Sequence, residues 1–119
     1  MIITNNNWVL KKYKNSFNVV FVDGNFKDVL ISVRDKLHLG HKLLTHPLAS
    51  SVKPSETPYK SVVVSDDKNN LCIDSIYMIE NAIITYDKFN KDKLKNLSEK
   101  ANEDLKLIDL TVLESALNI

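Results

Sequence analysis

A three-layer α/β sandwich with a short, mainly parallel sheet of about four strands is the fold class this chain predicts. Three observations predict it. Val19-Val20-Phe21-Val22 and Val62-Val63-Val64 are apolar at every position, as in strands covered on both faces. Other segments carry apolar residues at helical spacing: Phe26, Val29, Leu30, Val33 and Leu37, then Ile76, Ile79, Ile83 and Tyr86. The two kinds alternate along the chain, the order in which helices carry it from one parallel strand to the next. At 119 residues the chain forms one domain, 1–119, large enough to bury a core without disulfides.

Taken in order, Ile2-Ile3-Thr4 reads as a short strand, and one of Asn5-Asn6-Asn7 caps a brief helix over 8–14. The strand at 19–22 stops at Asp23-Gly24. Asn25 caps the next helix, and Gly40 is placed to end it in a left-handed conformation. A loop over about 40–60 leads to the strand at 62–64, closed by Ser65-Asp66-Asp67. A long helix through Ile76 to Tyr86 follows, then a more polar one over 91–101 showing Leu94, Leu97 and Ala101 to the core. The run 105–110 reads as the fourth strand. Thr111 and Glu114 have the spacing of a capping box that opens a last helix through Val112, Leu113, Ala116 and Leu117.

Composition excludes several classes of function. A formal charge of +1 lacks the basic excess of a general nucleic-acid binder. No apolar run approaches the ~20 residues that cross a bilayer, and Met1-Ile-Ile-Thr-Asn lacks the features of a signal peptide. The lone Cys72 forms no intrachain disulfide, so a reducing cytoplasm is the expected compartment. Between Leu71 and Ile73 it reads as a small hydrophobe.

The chemistry is concentrated in one place. All three histidines (His38, His41, His46) and all three prolines (Pro47, Pro54, Pro58) lie between His38 and Pro58, where Gly40 is one of only two glycines. Residues that fix, release and functionalise a backbone, gathered together, mark a functional loop. From Arg34 to Lys60 five basic residues face two acidic ones, a local +3 that steers anions towards it. A loop of ~20 residues in a compact domain tends to be functional, and Leu43, Leu44 and Leu48 are expected to pin it down. In a parallel sheet it lies near the carboxyl ends of the strands, where ligands settle. Candidate anion ligands are Asn5 and Asn6 at such an end, Arg34 for its planar fork, Thr45, Ser50, Ser51 and Lys53 for hydroxyls and an ammonium, and His41 and His46 to tune the site by protonation. Arg34 could equally tie the loop down through Glu56. No Walker loop or dinucleotide fingerprint is present, so no cofactor is expected. Gly40 between His38 and His41 argues against a metal.

Arg34-Asp35, the run from Gly40-His41-Lys42-Leu43-Leu44-Thr45-His46-Pro47-Leu48 and the run from Ser51-Val52-Lys53-Pro54 to Pro58-Tyr59-Lys60-Ser61 together resemble the signature of the GrdX family. Thr4-Asn5-Asn6 at the start and Asp109 to Leu117 at the end are also similar, so the resemblance spans the chain. Ala49-Ser50 and Pro54-Ser55 replace the Gly-Ser and Pro-Asn frequent in that family, mild departures. The resemblance implies a context more than a mechanism: a small protein encoded with the glycine, sarcosine and betaine reductase systems of anaerobic, amino-acid-fermenting bacteria, whose components are the candidate partners.

Two kinds of function follow, beside a structural interaction module whose loop would be a docking surface with no pocket. One is a non-enzymatic accessory or regulatory protein that binds a small anionic metabolite or partner segment through the loop. The other is a small enzyme using a loop histidine with Thr45 or a serine in acid–base chemistry. No carboxylate–histidine–nucleophile spacing is present, which favours the first, and the catalytic residues of the second stay unnamed. A concave site joining Asn5, His46 and Lys53 is expected for ligand binding, and a flat loop for docking.

Overall fold

Asparagine caps set the first two helices. In the computed structural model, which describes residues 1–49, 57–89 and 97–118, strand β1 (Ile2–Thr4) leads to Asn6, whose side chain accepts from the Trp8 N–H to open α1 (Asn7–Tyr13). Strand β2 (Val19–Phe21) follows. Helix α2 (Phe26–His38) opens on a capping box in which Asn25 and Asp28 each accept from the other's backbone N–H at 2.9 Å. Gly40, at φ 107°, turns the chain beyond that helix, and a Cβ there would lie 2.3 Å from the Asn69 carbonyl oxygen. Both facts require glycine. The remaining elements are β3 (Ser61–Val63), α3 (Ile73–Phe89) and α4 (Glu99–Leu117), the last capped by Ser98.

The three strands of the described residues form one sheet in the order β2-β1-β3. Strand β1 pairs parallel with β2, Ile3 opposite Val20, and antiparallel with β3, Ile3 opposite Val62. The sheet is therefore mixed, not mainly parallel, and has three strands instead of four. The loop causes the reversal. Leaving Gly40, it runs extended along β3, with a bridge between Leu43 and Val64 and bonds from Leu44 N–H to Val63 O (2.9 Å) and Ser65 N–H to Lys42 O (2.7 Å). That stretch travels in the direction of β1. The chain thus returns to the carboxyl end of β1 before β3 begins, and β3 must run the other way.

Two cores cover the two faces, which makes three layers. Ile3, Val62 and Val64 pack against Val29, Leu30 and Val33 of α2 and Ile79, Ile83 and Tyr86 of α3. Ile2 and Val63 pack against Val9 and Tyr13 of α1 and Leu110 and Leu113 of α4. Leu43 and Leu48 of the loop join the first core, whereas Leu44 is exposed. Strand β2 is an edge strand with Phe21 exposed, so its apolar run is covered less fully than β3.

The expected strand at 105–110 lies inside α4. Leu110 and Leu113 bury together at helical spacing, and a strand would send them to opposite faces. Thr111 accordingly opens no helix. Glu114 instead accepts from Lys12 Nζ (2.8 Å) and Tyr13 OH (2.5 Å), fastening α4 to α1. Of the expected polar helix over 91–101, positions 91–96 lie outside the described residues, and Ala101 belongs to α4. Among the described residues no helix is long and apolar enough to cross a membrane.

Candidate functional site

Where β1 ends and β3 begins, antiparallel pairing sets Thr4 opposite Ser61. Alternation sends both to the α4 side of the sheet, with Ile2 and Val63. Ser61 Oγ donates to Asp109 Oδ2 at 2.7 Å, which uses its only proton. Thr4 is then the donor in the 2.7 Å bond between the two hydroxyls, and Thr4 Oγ1 accepts from the Asn6 N–H at 3.0 Å. Asn6 Nδ2 completes the cluster, donating to Asp109 Oδ2 (3.1 Å) and to the Lys106 carbonyl (3.0 Å). Burial holds the Asp109 carboxyl above the usual carboxylate range, against the pull of Ser61, Asn6 and the nearby charge of Lys60.

Asn5 points to the other side. Its Nδ2 donates to Gly24 O (3.0 Å) and Pro58 O (2.7 Å), and its Oδ1 accepts from the Lys60 N–H (2.9 Å). Both amide hydrogens are committed, and the side chain ties the turn before α2 to the end of the loop.

Between these clusters sits Lys60, only 3% exposed. Its Nζ donates to the Ala49 carbonyl at 3.1 Å, and no carboxylate among the described residues lies within 4 Å. Burial pushes its pKa down to about 8, with the Asp109 charge opposing. Two small spaces flank it, one against Thr57, Tyr59 and Asp109, the other against Thr45, His46 and Ser61. Each has about 10 Å³ of room, enough for one water or one oxygen of a ligand headgroup.

The residues singled out from sequence divide accordingly. Asn5, Asn6, Thr45 and His46 do meet at this edge. Thr45 Oγ1 accepts from the Val63 N–H at 3.0 Å, which leaves its hydroxyl proton able to donate. His46 is exposed, with Nδ1 accepting from the Leu48 N–H at 3.1 Å. His41 sits at the opposite end of the strands, beyond the end of β3, buried, with Nδ1 2.7 Å from the Ser65 carbonyl. Since a carbonyl can only accept, that nitrogen carries the proton. Arg34 reaches from α2 towards Glu80 of α3 at 3.9 Å, away from this edge. Ser50, Ser51, Lys53 and Glu56 lie outside the described residues. Among the described residues no three metal-ligating side chains gather, and no histidine bonds a hydroxyl. Cys72 is half-buried, outside the two cores.

Lys60, Ser61, Asp109 and Thr4 belong to the site although sequence reasoning did not choose them. Two signals point to them. Lys60 stands one residue before the apolar run Val62-Val63-Val64, and Asp109 stands between Ile108 and Leu110. Charged residues are seldom buried in such settings without a partner.

Among the described residues, fold and site together define a small three-layer α/β protein with a buried amine and a half-buried carboxylate at one sheet edge and two spaces of about 10 Å³ beside the amine. The chain belongs to the GrdX-like protein family, whose model matches residues 1–118. No curated protein and no solved structure matches it.

Proposed function

We propose that the protein is a non-enzymatic accessory or regulatory component of a glycine, sarcosine or betaine reductase system. Its role is to receive the carboxylate or phosphate end of a small metabolite or partner segment at the edge formed by Thr45, His46, Lys60 and Ser61. The observation that carries this reading is the Lys60 amine, buried yet bonded, among the described residues, to a single neutral carbonyl. A buried ammonium held this way is poorly compensated. An incoming anion supplies the missing counter-charge, with Thr45 as a hydroxyl donor beside it.

The size of the two spaces favours the end of a larger group over a wholly enclosed metabolite. Family membership supports the reductase context. The enzymatic alternative draws less support, because His46 is committed to its own turn and His41 lies at the far end of the strands.

Calorimetry tests the reading. At pH 8 about half of the Lys60 amines are neutral, and an anion that binds the ammonium raises that pKa. Titration with acetate, phosphate or acetyl phosphate in two buffers of different ionisation enthalpy should show uptake of up to about half a proton. Lys60→Met should bind at least ten-fold more weakly and take up none. Failure of every anion to bind the wild type, or equal binding by Lys60→Met, would overturn the proposal.

A further inference from the structure

Helix α4 presents Glu99, Asn102, Glu103 and Lys106 on one face, at i, i+3, i+4 and i+7. That face looks across an open cavity of about 440 Å³ to Trp8 of α1 and Tyr59. This is within the ~300–1,000 Å³ range of small-molecule sites and far larger than the spaces beside Lys60. The Lys106 ammonium lies 5.9 Å from the Trp8 ring centroid and 5.5 Å from that of Tyr59. Two aromatic rings therefore address one point, and the fold already places a cation there. Tyr59 is steadied by its OH donating to Asn102 Oδ1 at 3.3 Å. Trp8 is steadied by the Asn6 cap, which holds its backbone N–H.

The occupant is loosely held. Lys106 has no carboxylate within 4 Å among the described residues, although Glu99 and Glu103 line the same cavity. Its long side chain can swing into solvent without breaking the Asn6 bond, which goes to the backbone carbonyl. A primary ammonium is also a poor match for two ring faces, since it is strongly hydrated and directs three donors. A methylated ammonium spreads its charge over an apolar surface, sheds water readily and needs no hydrogen-bond partner.

We infer that the Trp8–Tyr59 cavity is a binding site for a small organic cation of the quaternary ammonium class, which displaces the Lys106 head from between the rings. Glu99 and Glu103 at the rim attract the cation and exclude anions. The site shares Tyr59 with one of the spaces beside Lys60 but has the opposite charge preference.

Trp8 is the only tryptophan of the chain, so its emission reports on the cavity directly. Titration with choline or tetramethylammonium should give a saturable change in Trp8 fluorescence. The neutral carbon analogue of choline, 3,3-dimethylbutan-1-ol, should give none at the same concentrations. Lys106→Met, which removes the internal competitor, should tighten choline binding severalfold. Tyr59→Leu should weaken it by ten-fold or more, and Glu103→Gln, a change at an exposed position, should weaken it severalfold at low salt. Equal response to the neutral analogue, or no saturable change in both wild type and Lys106→Met, would overturn the inference.

Discussion

Replacing Lys60 by methionine should stabilise the protein at neutral pH and lose that advantage in alkali. Methionine keeps an unbranched apolar stem in the same space and removes the charge. The folded state lowers the amine from its ordinary 10.5 to about 8, a difference of about 3 kcal/mol against the charged form at neutral pH. The direction follows from proton counting. Between pH 8 and 10.5 the unfolded chain holds this proton more tightly than the folded one, so stability rises with pH across that window. The penalty is complete below about pH 8 and gone above about 10.5. Loss of the bond from Nζ to Ala49 O offsets about 1–2 kcal/mol of the gain at pH 7; the pull of Asp109 is already contained in the lowered value. Urea denaturation of both proteins at pH 7, 8, 9 and 10 should therefore show the variant losing about 2–3 kcal/mol relative to wild type over the series. In thermal melts this is a relative shift on the order of 10 °C. Parallel stability profiles for the two proteins would refute the claim that Lys60 is buried as a poorly compensated cation.

Two further substitutions test how this edge and the loop are built. Asn6→Ala removes the α1 cap and two bonds to α4, and should cost about 2–3 kcal/mol in urea denaturation. Asn6→Asp keeps the cap but sets a second carboxylate beside Asp109. It should be worse than alanine at pH 7 and recover as the pH is lowered and one carboxyl takes a proton; the reverse order would contradict the assigned network. Gly40→Ala should cost at least about 1–3 kcal/mol from the positive φ alone, and more from the approach to Asn69 O. A change below about 0.5 kcal/mol in the same assay would mean that the loop leaves α2 differently.

Local signals in the sequence were legible wherever one residue decides the outcome. Asn6, Asn25 and Gly40 each act through their own backbone neighbourhood, and each helix boundary they mark is where the sequence places it. Apolar spacing likewise identified the faces of α2 and α3. Strand direction was not legible, because Val62, Val63 and Val64 are buried by helices on both faces whichever way they run. What reverses β3 is the extended passage of Leu43 and Leu44 alongside it, a tertiary pairing with no strand-like composition. The region 105–110 misled because Leu105, Leu107, Ile108 and Leu110 satisfy both periods within six positions. Only the distant partners Ile2, Val9 and Val63 select the helix.

The site shows the same division. Asn5, Asn6, Thr45 and His46 were chosen for their chemistry and do come together. Arg34 and His41 were grouped with them by nearness in sequence, but helix α2 carries Arg34 towards Glu80 and delivers His41 to the other end of the strands. Asp109 joins Ser61 only because α4 lies across the ends of the strands. Its approach depends on the whole fold and leaves no short-range mark.

The central claim is that Lys60 is a buried amine awaiting an anion, and its own titration tests this most directly. In protein carrying labelled lysine, NMR should show the Lys60 side chain titrating near pH 8 alone, and moving towards 10.5 when saturated with the carboxylate or phosphate that binds best. A midpoint already near 10.5 in the free protein, or one near 8 that no anion moves, would contradict it.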